Sequence, residues 1–275
     1  MRIAYFPNQT SLNSAPVLKA VLEGCKRFGI NLVTNDMNAD AAIIWSVLWN
    51  GRMQANQQVH AHYRSLNKPV IIIEVGALHR NVTWKIALNN ITASGFYGHL
   101  DNLDWDRPKK LNVQLRTPGN PGPEIVIALQ HSKSLQTETM GNMTQWVEDT
   151  VKILKGVTDR PIVVRPHPRN KINLPSGLVV ETPSKIADTY DSYDLRFNSY
   201  AIVNYNSGVG IQAALHGVRP LVDISSLAAP VGIAINEIEQ PYNINRDQWL
   251  TEICHTEYTI EEIQQGIWIS RLNIM

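Results

Sequence analysis

The chain has 275 residues, 44% of them hydrophobic and 18% charged, with a net charge of +1. That length and composition suit a soluble globular protein of one large or two modest domains. The near-neutral charge counts against an extended surface for coating nucleic acid, though not against a local one, and no apolar run reaches membrane-spanning length.

In chain order, residues 2–6 read as a first strand, and a helix runs from a Ser14 cap to about Phe28, with Pro16 in its first turn and Gly29 as its stop. Strands follow at Ile30–Thr34 and Ala41–Trp49, then a helix at 52–66 and a buried strand at Pro69–Val75. This alternation predicts an open parallel sheet with helices on both faces. From Asn102 to Pro123 the pattern fades into a Pro/Gly-rich linker. A second α/β unit begins at Glu124–Gln130, continues through a helix at 142–155 stopped by Gly156, and then reaches the strand opened by Pro161. Residues 188–200 read as a loop over a pocket, and the tail from Arg246 as two helices, the last spanning about Thr259–Leu272. The domains are therefore expected at 1–118 and 119–275, with the last helix packing back on the first. Met1–Phe6 reads as a strand start, not a secretory signal, and Cys25 and Cys254 read as free thiols of a reducing compartment, so a cytoplasmic location is expected.

Two stretches carry chemistry. Arg160-Pro-Ile-Val-Val-Arg165-Pro-His167-Pro-Arg169 is a short buried strand that leaves its carboxyl end stiffened by prolines. Ligands bind at that edge of open α/β sheets. Arginine matches phosphate oxygens with its planar fork, and histidine donates a hydrogen bond or proton. About 40 residues on, Val203-Asn-Tyr-Asn206-Ser207-Gly208 leads into a helix that ends at Gly217. Ser207 is a good N-cap, and free N–H groups at a helix start bind phosphate. Alone, each has a plain alternative, solvated loop charges or an ordinary tight turn. Together they describe a nucleotide-diphosphate pocket.

Further patterns resemble known proteins. Glu74-Val-Gly76-Ala-Leu78-His-Arg80 resembles the Glu-x-Gly-x-Leu-x-Arg segment of capsule-polysaccharide glycosyltransferases of the Kdo-transferase type. Thr83–Ile91 is similar to the continuation in phage-encoded relatives, among them DNA-base glycosyltransferases. Gln130, Arg165-Pro-His167-Pro and Asn206-Ser207-Gly208 are similar to that group's donor-site segments, and Trp249–Gly266 to its ending. His79, just before Arg80, departs from the pattern and leaves the acceptor chemistry open.

The resemblance implies a GT-B fold: α/β, two Rossmann-like domains with a cleft between them and a C-terminal helical tail. It implies transfer of a sugar from a nucleotide-sugar co-substrate, UDP-linked in expectation, with no further cofactor. Arg165, Arg169, Gln130, Ser132, Asn206, Ser207 and Gly208 would bind the donor, with His167 acting on its phosphate; Lys185 and Arg196 are further cations, and Glu237 or Glu239 candidates for the ribose. Glu74, ending an apolar strand with Gly76 beside it, is the candidate acceptor base; its plain alternative is a salt bridge to Arg80, and Asp36 and His79 are reserves. Arg80, Trp84 and Lys85 would contact the acceptor. The only Asp-x-Asp, Asp104-Trp105-Asp106, lies in an irregular segment, and no metal is expected. The phage relatives imply DNA as acceptor partner, through the hydroxymethyl group of a modified pyrimidine such as hydroxymethylcytosine, flipped from the stack. Arg107, Lys109, Lys110 and Arg116 would hold its phosphates, unless they are a solvated linker. Alternatives are a bacterial surface-glycan acceptor, a sugar-nucleotide epimerase and a non-catalytic nucleotide-binding module.

Overall fold

The computed structural model describes residues 1–11, 14–117, 119, 121–170, 172–182 and 197–274. Its elements begin with β1 (Arg2–Tyr5), α1 (Ala15–Arg27), β2 (Asn31–Thr34), β3 (Ala41–Trp45), α2 (Asn56–Ser65), β4 (Val70–Val75) and β5 (Trp84–Leu88). They continue with α3 (Arg107–Lys110), β6 (Ile125–Ala128), α4 (Met143–Val157), β7 (Ile162–Arg165), β8 (Val179–Val180), β9 (Ala201–Asn204), α5 (Gly208–Leu215) and β10 (Arg219–Val222). The tail holds α6 (Asp247–Cys254), β11 (Glu257–Tyr258), α7 (Ile260–Gln265) and α8 (Ile267–Arg271).

Contacts divide the chain into two units. One holds Met1–Trp105, Lys133–Leu135 and Glu252–Met275, the other Asp106–Ser132 and Gln136–Thr251. Residues 106–117 thus sort with the second unit, where Arg116 N donates to Leu215 O at 2.8 Å. Residues 252–274 sort with the first, where β11 extends its sheet.

The first unit's sheet runs β11-β5-β4-β3-β1-β2. β1 to β4 are mutually parallel, and the Ala-Ala-Ile-Ile-Trp of β3 and Val-Ile-Ile-Ile of β4 are wholly buried, as strands covered on both faces must be. The four strands read as a parallel sheet are parallel, and at one edge the sheet adds two strands that were not read: β5, antiparallel to β4, and β11, antiparallel to β5. A tight loop at 76–83 reverses the chain: Gly76 N donates to Thr83 O at 3.0 Å, and Thr83 N to His79 O at 2.9 Å. The strand read over 41–49 ends at Trp45, because Ser46 takes a left-handed φ of 64°. The long final helix is also two pieces. Gly266, at φ 78°, separates α7 from α8, and a Cβ there would strike the Phe28 ring.

The second unit's sheet, β10-β9-β6-β7-β8, is parallel throughout. From β6 the chain builds outward through β7 and β8, then returns to the other side of β6 for β9 and β10. Strand order therefore reverses at β6. α4 is capped by Asn142, whose side chain accepts from Thr144 N and Gln145 N, and it runs through Gly156 to Val157 rather than stopping at the glycine. Its Met143, Val147, Val151 and Leu154 join Ile125, Ile127, Val164 and Val203 in the core.

Candidate functional site

In the second unit, loops leaving the carboxyl ends of β6, β7 and β9 are tied to one another. Gln130 Nε2 donates to Asn206 Oδ1 at 2.9 Å, and Asn206 N returns a bond to Gln130 Oε1 at 3.1 Å. Asn206 Nδ2 also donates to Gln136 O and Ser225 Oγ, at 2.8 and 2.9 Å. Ser132 Oγ donates to Asn170 Oδ1 at 2.9 Å, joining the loops after β6 and β7. Asn204, fully buried, donates to Ala128 O at 2.8 Å and accepts from Ser207 N at 2.8 Å and Ser207 Oγ at 3.1 Å. Ser207 Oγ then accepts from Val209 N and caps α5.

The structure thus brings the expected donor residues together at the three strand ends, and it separates their work. Gln130 and Asn206 spend their amides on each other and on neighbouring loops, so they scaffold the edge. Ser207 and Gly208 form the capped start of α5. His167 Nδ1 accepts from Arg169 N at 3.1 Å, so the neutral ring carries its proton on Nε2 and is a donor there. Arg169 is exposed. Arg165 differs from expectation: it is 7% exposed and its guanidinium is ion-paired with Glu181, because the last residue of an interior strand turns its side chain into the sheet's packing. Lys185, Arg196 and the loop read from 188 lie, up to residue 196, outside the described residues.

Glu239 is corrected as a ribose ligand. Its carboxylate takes Arg160 Nε at 2.8 Å, Arg160 Nη2 at 3.0 Å and the Tyr200 hydroxyl at 3.1 Å, and also Thr158. These bonds, led by Arg160 and Thr158, hold its carboxyl down at about 2. Arg160 and Tyr200 precede β7 and β9, so the cluster occupies the amino edge of the sheet, opposite the ligand-binding edge. Glu237 is exposed.

In the first unit, Glu74 is half-buried near the carboxyl end of β4. Its Oε2 accepts from Ser46 Oγ at 2.7 Å and Val47 N at 3.4 Å, and its Oε1 from Val75 N at 2.9 Å. The left-handed turn at Ser46 aims that hydroxyl at the carboxylate; strained backbone of this kind gathers at working sites. In register, Glu74 stands opposite Lys85 and Lys85 opposite Glu257, a Glu–Lys–Glu row across β4, β5 and β11. Glu257 is fully buried and accepts from Ala77 N at 2.6 Å, Leu78 N at 3.1 Å and Thr83 Oγ1 at 2.7 Å. A Cβ at Gly76 would collide with Thr83 O and the Glu257 carboxylate, so only glycine fits. Burial pushes the Lys85 ammonium toward deprotonation, opposed by the charges of Glu257 and Glu74.

The acceptor expectations divide. Trp84 and Lys85 are each 5% exposed and build the sheet instead of facing solvent. Arg80 and His79 are half-buried in the loop at 76–83. The reserve base Asp36 is ion-paired with Arg2 and accepts from Asn38 N at 2.7 Å. Of the basic cluster, Arg107 is 6% exposed, leaving Lys109, Lys110 and Arg116 at the surface. Asp104 N donates to His255 Nε2 at 3.0 Å. Among the described residues no group of three His, Cys, Asp or Glu is placed to hold a metal ion, and no helix is long and apolar enough to cross a membrane.

Sequence reasoning missed three residues. Asn204 stood beside residues already singled out, and an asparagine ending an apolar strand is a readable signal. Ser46 sat inside an apolar run, and Glu257 in a tail with nothing local to mark it.

No family model matches the chain, and no curated protein matches it in sequence. Solved structures do match it. The Thermosulfurimonas dismutans KpsC β-Kdo 2,4 transferase aligns with a TM-score of 0.51 at 13% identity, covering 98% of each chain. The KpsC β-Kdo 2,7 transferase of the same organism aligns at 0.47 and 12%, covering 100% of this chain and 99% of that one. A Methanocaldococcus jannaschii UDP-GlcNAc 2-epimerase aligns at 0.37 and 10%, covering 100% of both. The fold assignment rests on the first of these and on the two sheets: the chain is α/β with two Rossmann-like units, of the GT-B class.

Proposed function

We propose that this protein is a glycosyltransferase that moves a sugar from a nucleotide-sugar donor to a hydroxyl acceptor. The observation that carries the reading is the carboxyl edge of the second unit's sheet, where His167, after β7, and the capped start of α5, after β9, leave the two strands that flank β6. Leaving-group chemistry needs hydrogen-bond donors fixed where phosphate charge develops, and the groups at this edge are of that kind. His167 and Arg169 serve the donor phosphates, with the α5 amides. Arg165 acts through Glu181, holding the end of β7. Glu74, oriented by Ser46, takes the acceptor proton.

For the acceptor, the hydroxymethyl group of a modified pyrimidine in DNA draws on the resemblance to phage enzymes and on exposed Lys109, Lys110 and Arg116. A surface-glycan acceptor is the second reading, favoured by the fold shared with a Kdo transferase along nearly the whole chain. Mass spectrometry of hydroxymethylcytosine-containing duplex DNA, incubated with the protein and a panel of UDP- and CMP-linked sugars, separates them. A sugar-sized mass gain on DNA supports the first reading. Gain on a glycan acceptor alone supports the second. Isomerised nucleotide sugar with no transfer refutes transferase function in favour of an epimerase.

A further inference from the structure

We propose that His131 is a second histidine ligand of the donor's phosphate, forming with His167 a two-imidazole grip. This rests on the nucleotide-sugar reading above. Strand order in the second unit reverses at β6, and ligands of open α/β sheets bind beside the carboxyl end of the strand where the order reverses. His131 lies in the loop leaving that strand. The residues on either side of it are both committed: Gln130 is locked to Asn206 on the β9 side, and Ser132 to Asn170 on the β7 side. Leu129 N, bonded to Arg165 O at 2.9 Å, fixes the start of the loop. A segment tied on both flanks holds the intervening imidazole in one place, the preorganisation a binding group needs. The His131 ring meets the His167 ring edge-on, with centroids 5.6 Å apart and planes at 75°. At that spacing two imidazoles reach different oxygens of one phosphate or of adjacent phosphates.

Titration calorimetry of the full chain with UDP, UMP and CMP, and with uridine and cytidine as phosphate-free counterparts, tests the assignment. Wild-type protein is expected to bind the nucleotides, and His131→Ala to weaken them about 10- to 100-fold, the range of a hydrogen bond to a charged group, with nucleoside binding unchanged. Nucleotide affinity within twofold of wild type, or an equal loss for nucleosides, overturns the role of His131 while leaving the transferase reading standing. Wild-type protein that binds none of the nucleotides overturns the transferase reading and this assignment with it. Should His131→Ala fail to fold, diethyl pyrocarbonate labelling of the wild type gives the same decision. UDP is expected to protect both His131 and His167, and equal labelling of His131 with and without UDP overturns the role.

Discussion

Replacing Glu257 by glutamine tests how the tail holds the loop beside Glu74. The carboxylate is fully buried and serves two backbone amides and a hydroxyl, at 2.6, 3.1 and 2.7 Å, while standing opposite the buried Lys85. Glutamine keeps the shape, but one of its two terminal groups is itself a donor. It therefore faces N–H groups with N–H and leaves the ammonium with Glu74 alone. Leaving a buried N–H without an acceptor costs about 1–3 kcal/mol, and more where a charged acceptor is lost. For a unit of this size each kcal/mol moves the melting temperature by about 2–4 °C, so a loss of roughly 10 °C is expected by calorimetry or circular dichroism. Turnover should fall further than the folded fraction accounts for, because the loop that Glu257 holds begins two residues after Glu74. A single Glu257→Gln variant melting within 2 °C of wild type would refute the reasoning.

Four further outcomes are expected. His167→Ala should raise the donor KM and lower kcat together, whereas Glu74→Ala should lower kcat by about 100-fold or more with donor KM held, read from initial rates across donor concentration. Asn206→Ala strands the Gln130 amide and the Gln136 carbonyl, and should cost about 2–3 kcal/mol in urea unfolding. The folded Glu239 carboxyl, held at about 2 by Arg160, lies below its unfolded value, so its contribution is present above pH 4.5 and lost as pH falls toward 2. Because the pair is largely exposed, that contribution is at most about 1 kcal/mol; Glu239→Gln should flatten this part of the stability–pH curve. Burial pushes the Cys25 thiol up to about 12, so alkylation at pH 8 should track unfolding and not proceed in the native state.

Strands buried on both faces were legible because Val70–Ile73 and Ile125–Ala128 are short, unbroken apolar runs rich in β-branched residues. The turns that leave β7 and β9 were legible for a related reason: proline, glycine and a capping serine carry their geometry locally. β5 and β11 were not. Trp84–Leu88 shows no clean alternation, because Lys85 points into the protein beside Glu74 and Glu257, and a two-residue strand has no period to read. The role of Glu257 depends on partners about 180 positions away, beyond any local pattern. Arg165 and Glu239 were misread through one omission, the carboxylate and the guanidinium that each finds across the fold. Gly266 shows the limit of periodicity: apolar spacing runs through it, but a left-handed residue pressed against Phe28 divides the helix.

The most direct test of sugar transfer is nucleotide release from UDP- and CMP-linked sugars, measured with and without hydroxyl acceptors, in wild type and in His167→Ala. Acceptor-dependent release by the wild type, lost in the variant, is the predicted result. Release that ignores the acceptor, or that survives His167→Ala undiminished, would contradict the account.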